Sequence, residues 1–384
     1  MLLARQGYRV VLVDRASFPS ETLSGHFMYP SAVEHLVRWG LLDKVRASGC
    51  PPIREVTLHC GDFPLTGRPP LPDGLSGAFA PRRAGLDKVL VDAAVGAGAE
   101  LRDGFRVEEL VWDGDRVAGV RGRTRSGATT SVRGRIVVGA DGMRSRVAQA
   151  VAAPAYWTTP SRTASYLTYW SGVRIDGLEA YFLDRRVILA FPTDDGLVCT
   201  CVQWPRAELH DVRADAEASM LRALDLASTL AGRIRQGRRA ERLVGTADQP
   251  GFFRKPYGPG WALVGDAGYH QDPMTAQGIK DAFRDAGLLA AAIDDGFSGR
   301  RPLDDALATY EQRRNAAALP MYRMTGRLIA FPPHAPSLLS LRRALQGNRE
   351  DTDRYCGTVF ETVPLQEFYD PMNVWRILAS AVRR

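Results

Sequence analysis

Three short apolar runs, each delivering an aspartate at its end, constrain the fold of this chain more than any other feature. They are Arg9-Val10-Val11-Leu12-Val13-Asp14, Ile136-Val137-Val138-Gly139-Ala140-Asp141 and Trp261-Ala262-Leu263-Val264-Gly265-Asp266. None alternates polar with apolar residues, so each suits a strand covered on both faces, as in a parallel sheet. Between the second and third runs the pattern changes. Tyr166 to Val173, Leu178 to Leu183, Val187 to Phe191 and Leu197 to Gln203 alternate and are separated by turn residues, which predicts antiparallel strands. The expected architecture is α/β, a discontinuous parallel sheet with an antiparallel sheet inserted between its pieces.

The remaining segments fit around that frame. Met1 to Gln6 read as the tail of a helix closed by Gly7, and helical spacing recurs over 31–40, 86–95, 206–231 and 277–294. Residues 51–79, rich in proline and glycine, hold a strand at Val56-Thr57-Leu58-His59-Cys60, and further strands are expected near 106–112, 116–123 and 129–132. From Pro302 the chain is mainly helical. Met321, Met324, Leu328, Ile329 and Phe331 there are core packing, a cap on a substrate cavity, or a homodimer contact.

Composition narrows the function classes. The 384 residues suffice for two or three domains, and 45% hydrophobic with 24% charged residues is ordinary for a globular protein. No apolar run reaches the ~18 residues that a membrane span needs, and Arg5 interrupts any signal-peptide core, so a cytoplasmic location is expected. The net charge of +7 raises the question of nucleic acid. The densest basic stretch, Arg233, Arg235, Arg238, Arg239 and Arg242, has no interleaved aromatics for base stacking. A solvated helix end is the favoured reading over an anion patch, and no nucleic-acid partner is expected. Cys50, Cys60, Cys199, Cys201 and Cys356 form no metal-ligand pattern, so neither a metal nor a disulfide is predicted.

Chemistry concentrates at the three strand ends. An acidic side chain such as Asp14 ends the second strand of dinucleotide folds, where it accepts both adenosine ribose hydroxyls; Arg15 beside it can touch adenine or stay solvated. In Val138-Gly139-Ala140-Asp141-Gly142-Met143-Arg144-Ser145-Arg146-Val147, Gly142 lets backbone pass close to a ligand. Asp141 either takes a ribityl hydroxyl or water, or caps the following helix. The third end is the densest: Gly265-Asp266-Ala267-Gly268-Tyr269-His270-Gln271-Asp272-Pro273-Met274-Thr275-Ala276-Gln277-Gly278, then Asp285-Ala286. Here Asp266 can bind a ribityl hydroxyl and Pro273 sets up a helix N-terminus that suits an anionic ligand edge, while Gly278 permits close backbone approach.

Together these motifs resemble those of the class A flavoprotein monooxygenases, a family of aromatic hydroxylase-like enzymes that includes flavin halogenases and geranylgeranyl-type reductases. The Gly-Asp motif of that family matches Gly265, Asp266, Ala267, Pro273, Gln277, Gly278, Asp285 and Ala286; its Asp-Gly motif matches Asp141, Gly142 and Ser145. Arg83-Ala84-Gly85-Leu86 with Leu90 is similar to its Arg-x-x-Leu helix start, where the arginine lies near the flavin phosphates. Departures are Tyr269 for the histidine after Gly-Asp-Ala, Ala276 for a glycine, Lys280 for an asparagine and Ala148 for an arginine.

The resemblance implies a Rossmann-like FAD-binding domain of residues 1–50, 80–155 and 250–297. It also implies a substrate domain of 51–79 and 156–249, and a helical region over 298–384. The family's glycine-rich phosphate loop is absent, which sets the expectation of about 20 to 25 further residues upstream of Met1. The implied activity is FAD-dependent, NAD(P)H-consuming hydroxylation or epoxidation of an aromatic, polycyclic or isoprenoid small molecule by oxygen, through a flavin hydroperoxide. Flavin-dependent reduction or dehydrogenation of an isoprenoid-like substrate is the alternative, and a non-catalytic flavoprotein remnant a further one. Halogenation is disfavoured, because Tyr169-Trp170-Ser171-Gly172 does not supply that branch's Trp-x-Trp-x-x-Pro signature. No acid–base cluster stands out. His270 and Asp272, before the helix expected to face the flavin, and His26, on the loop after the first strand, are the candidates for shaping the reaction pocket. Aromatic residues Tyr166, Tyr169, Trp170, Tyr181, Phe182 and Phe191 are expected in the core of the antiparallel sheet, those on one face available to substrate.

Overall fold

The computed structural model describes residues 1–382. The strands that position the site are β1 (Val11–Val13), β2 (Val56–His59), β3 (Pro64–Gly67), β4 (Glu100–Arg102), β5 (Val137–Gly139), β6 (Thr163–Ser171), β7 (Leu178–Leu183), β8 (Arg186–Pro192), β9 (Val198–Pro205) and β10 (Trp261–Leu263). Four helices matter most: α1 (Arg83–Gly96), α2 (Arg146–Ala150), α3 (Gly278–Phe297) and α4 (Leu303–Leu328). The mixed α/β architecture is the expected one.

The parallel layer consists of two separate pieces, β1 paired with β4 and β5 paired with β10. Val11, Leu12, Val13, Val137 and Val138 are accordingly only half-buried, although their apolar pattern suits strands covered on both faces. Val13 still packs in the same cluster as Trp261, Leu263 and Ala267, which keeps the end of β1 beside the β5–β10 pair.

Alternation along the inserted strands builds a sheet with two apolar faces. Its path runs β6, β9, β8, β7, β2 and β3, with β7 and β2 parallel and their other neighbours antiparallel. One face carries Tyr169, Phe191 and Cys199 and meets Phe27, Tyr29 and the C-terminal residues Leu341, Tyr355, Phe360 and Phe368. The opposite face carries Trp170, Tyr181, Ile188 and Trp204 and meets residues 209–236. That last region is three short helices, not the single one its spacing predicts, because Asp215 accepts a hydrogen bond from Ala218 N and starts a new helix. Arg233 pairs with Glu179, Arg235 with Asp225 and Arg239 with Glu217, so most of the densest basic stretch is neutralised locally. No helix among the described residues is long and apolar enough to cross a membrane.

Arg342 fixes the C-terminal helices to this sheet. Its side chain is buried, and it donates to the carbonyls of Cys60 (3.1 Å), Leu58 (2.9 Å) and Phe63 (3.2 Å). Truncation would remove the donor that these three carbonyls share. Arg342→Ala is therefore expected to destabilise the fold by about 1.5–3 kcal/mol. Urea unfolding measures this, and an unchanged midpoint and slope would rule out the anchoring role.

Candidate functional site

The Asp-Gly and Gly-Asp turns leave the sheet side by side. In β5 and β10, Val137 lies opposite Trp261, Val138 opposite Ala262 and Gly139 opposite Leu263, and the ladder extends through Val264 N to Gly139 O at 3.0 Å. Gly139 is required by packing, since a Cβ there would come within 2.8 Å of Leu263 and 2.9 Å of Val147. Beyond the strands, Gly142 at φ +79° and Gly265 at φ +58° turn the backbone through the left-handed region. Asp141 and Asp266 thus emerge from adjacent strand ends.

Two arginines that sequence reasoning passed over hold these turns. Arg254 donates from Nη1 to Ala267 O (2.9 Å) and from Nη2 to Met143 O (3.1 Å), tying one turn to the other. Burial lowers its pKa, opposed by the charge of Asp141. Arg314 on α4 is fully buried and donates to Gly268 O (3.1 Å) and Arg254 O (3.0 Å), while Tyr310 donates to Leu263 O (2.9 Å). Neither arginine sits in a recognisable pattern, so nothing in the local sequence marks it.

The carboxylates divide their work. Asp141 Oδ2 accepts from Arg146 N (2.7 Å) and Val147 N (3.3 Å) at the start of α2, and Ser145 Oγ accepts from Ala148 N (3.0 Å). Asp141 therefore does the helix-capping job that stood as its alternative reading. Asp266 is half-buried and caps nothing; burial raises its pKa, while His270 and Arg83 pull it down. Arg83, at the start of α1, is held by Asp87 through Nε (2.9 Å) and Nη2 (2.8 Å). Asp14 turns one oxygen back to its own loop, accepting from Ala16 N (2.7 Å), and Arg15 is exposed.

His270 donates from Nδ1 to Pro250 O at 2.5 Å, which leaves Nε2 as the ring's acceptor. Asp272 is nearly inaccessible: Oδ1 accepts from Met274 N (3.0 Å) and Oδ2 lies 2.5 Å from Thr163 Oγ1 on β6, with Gln249 beside them. Burial raises its pKa. It pins the Gly-Asp turn to the antiparallel sheet. His26 is likewise buried; its Nδ1 donates to Ala80 O (3.0 Å), so Nε2 accepts from Tyr169 OH (2.9 Å), and Arg82 lies 5.0 Å from the Tyr169 ring centre.

The comparisons with known proteins fit this arrangement. Residues 1–179 match the FAD binding domain family. The chain is 26% identical over 356 residues to the FAD-dependent monooxygenase OpS4 of Beauveria bassiana, covering 80% of this chain and 76% of that one. It is 28% identical over 219 residues to digeranylgeranylglycerophospholipid reductase 1 of Methanococcoides burtonii, covering 54% and 50%. These likenesses support a flavin-dependent oxidoreductase. In fold, this flavoprotein is similar to the myxobacterial chondrochloren halogenase CndH, with a TM-score of 0.80, 21% identity, and coverage of 100% and 93%. Its curated relatives are longer, and it spans between half and three quarters of the length of these two.

Whether the residues present fit FAD is tested by polar atoms without partners. Gln271 has both its amide nitrogen and oxygen buried and unpartnered, and Gln277 has its Oε1 in the same condition. Such atoms cost about 1–3 kcal/mol each unless something completes them. Added side-chain atoms at Gly142 and Gly278 would meet nothing within 4 Å, so space lies open over both. The N-cap of α3, Gln277, makes no side-chain capping bond, leaving the first-turn N–H groups available to an anionic edge. The donor set fits a flavin.

Two measurements follow from the site. Ala276 is left-handed at φ +51°. Ala276→Gly is expected to stabilise the protein by about 0.5–1 kcal/mol, strain relief outweighing the added chain entropy; a lower melting temperature would contradict this. His26 is held near pKa 4 by burial, against an ordinary 6.5. The unfolded chain binds a proton near pH 6.5 that the folded chain refuses until about pH 4. Stability therefore falls as pH drops through that window, by on the order of 3 kcal/mol in full. Denaturant unfolding at pH 7 and pH 5 should show a smaller difference for His26→Asn than for the unaltered chain, and equal differences would exclude His26 as the source.

Proposed function

We propose that this flavin-dependent oxidoreductase is a monooxygenase. Its expected reaction is NAD(P)H- and oxygen-dependent hydroxylation or epoxidation of an aromatic, polycyclic or isoprenoid small molecule. The carrying observation is the in-register exit of the Asp141 and Asp266 turns beside the unpartnered amides of Gln271 and Gln277. The proposed binding set is Asp14 and Arg15 toward the adenosine, Arg83 toward the phosphates, and Asp141, Gly142, Gly265, Asp266, Pro273, Gln277 and Gly278 along the flavin. FAD, when bound, supplies the redox step between reduced nicotinamide, oxygen and substrate.

The chain's own residues have the other tasks. Asp266 accepts a hydroxyl, and the positive end of α3 meets the electron-rich edge of the ligand. Asp272, through Thr163, sets the spacing between the Gly-Asp turn and the antiparallel sheet, so that substrate and cofactor are held at a fixed distance and water is excluded. Pro250 O orients the His270 ring through Nδ1. The Tyr169–His26 bond keeps the sheet face with Phe191 against the loop after β1. The reductase relatives favour a second reading, reduction or dehydrogenation of an isoprenoid-like substrate.

The deciding experiment loads the purified protein with FAD and follows substrate turnover with NADH or NADPH, in air and without oxygen. The expected result is a flavin spectrum, oxygen uptake coupled to substrate, and incorporation of one oxygen atom from 18O2. Substrate reduction that continues unchanged under nitrogen would sink the oxygenase reading. A chain that stays colourless with added FAD would instead be a non-catalytic binding protein.

A further inference from the structure

A cleft of about 600 Å3 opens between the residues before β6, the β7–β8 hairpin, the end of β9 and the segment after α4. Arg162, Arg185 and Arg206 rim it, and Pro205, Ile329 and Phe331 supply an apolar floor. The arginines are not equivalent. Arg185 is paired with Glu208 at 2.7 Å, and Arg186 shares the same carboxylate. Arg162 and Arg206 have no ion pair among the described residues, and both are exposed.

Their placement is costly unless something relieves it. Thr163 lies opposite Pro205 at the end of the β6–β9 ladder, and just beyond it Arg206 N donates to Arg162 O at 2.7 Å, so the two arginines are neighbours where the ladder ends. Neighbouring like charges repel each other. The fold supplies Glu208 to the neighbouring arginines and nothing to this pair. An anion from outside would complete it. Phe331 follows the end of α4, where its N–H donates to Leu328 O and its φ of +48° turns the chain into the cleft wall.

The cleft also adjoins the flavin side of the molecule. Ile329 and Phe331 pack with Met274 of the Pro273–Thr275 turn, and Thr163, next to Arg162, is bonded to Asp272. We infer that this cleft binds an amphipathic phosphate monoester, its phosphate between Arg162 and Arg206 and its hydrocarbon on Ile329 and Phe331. A phosphate monoester carries about −1.5 to −2 charges and three acceptor oxygens, matching two free guanidinium groups better than a singly charged carboxylate does. The inference rests on the oxygenase reading only in naming the bound molecule a substrate.

The test is calorimetric titration of the full chain, without turnover, using octyl phosphate against octanol and inorganic phosphate. Octyl phosphate is expected to bind roughly tenfold or more tighter than either control. The Arg162→Gln/Arg206→Gln double variant should bring it down to the level of octanol. Ala207→Trp, which fills the cleft without touching a charge, should weaken octyl phosphate by a similar factor. Circular dichroism and melting temperature confirm that these surface variants fold. No binding, equal binding of octanol or of inorganic phosphate, or indifference to the double variant would each overturn the inference. Binding as expected by a chain that shows no oxygen-dependent turnover would leave the cleft standing and remove only the oxygenase reading.

Discussion

The pairing of β5 with β10 is the constraint on which the rest of this molecule depends. Three residues on each side, in parallel register, bring together two turns that are far apart in the chain. The close approach at Gly139 makes the pairing tight, and Arg254 then ties the two turns by their carbonyl oxygens. A guanidinium with its donors fixed in a plane is well suited to this, because it fixes two backbone segments relative to each other. Arg314 and Tyr310 hold the same turn from α4. An edge made of backbone and short side chains keeps its shape through these buried contacts.

The second requirement is a fixed relation between that edge and the antiparallel sheet. Buried polar groups meet it. Asp272, Thr163, Gln249, Ser165 and Gln203 form a chain of hydrogen bonds from the Gly-Asp turn into β6 and β9. His26 and Tyr169 do the same from the loop after β1. In a low-dielectric interior such bonds are directional and expensive to leave unmade, so they set position where apolar packing sets only proximity. His26 and Asp272, singled out by their place in the sequence as candidates for the reaction pocket, act here as pins between the two layers.

Much of this was legible beforehand. Uninterrupted apolar runs marked β5 and β10, alternation marked β6 to β9, and the density of glycine, aspartate and proline after Leu263 marked the turn that carries Asp266. Other features were not. The helix pattern over 206–231 gave no warning that Asp215 would break it, because a capping side chain competes with helix continuation only when its geometry is right. The half-exposed state of Val11–Val13 was also hidden, since an apolar run records a preference for cover and not whether a neighbour supplies it.

What the sequence determined by itself was the set of strands, the turns at their ends and the chemical types gathered there. These follow from local rules: period, β-branching, and the backbone freedom of glycine. Only the tertiary structure decided which carboxylate was spoken for. Asp141 and Asp266 look alike as strand-end aspartates, yet the first is taken up by the N–H groups of α2 and the second caps nothing. The same holds for Arg254 and Arg162, one satisfied by two carbonyls and the other without an ion pair among the described residues. A polar group's role depends on which partners lie within about 3 Å, and those partners come from segments whose register is fixed only when the whole chain packs.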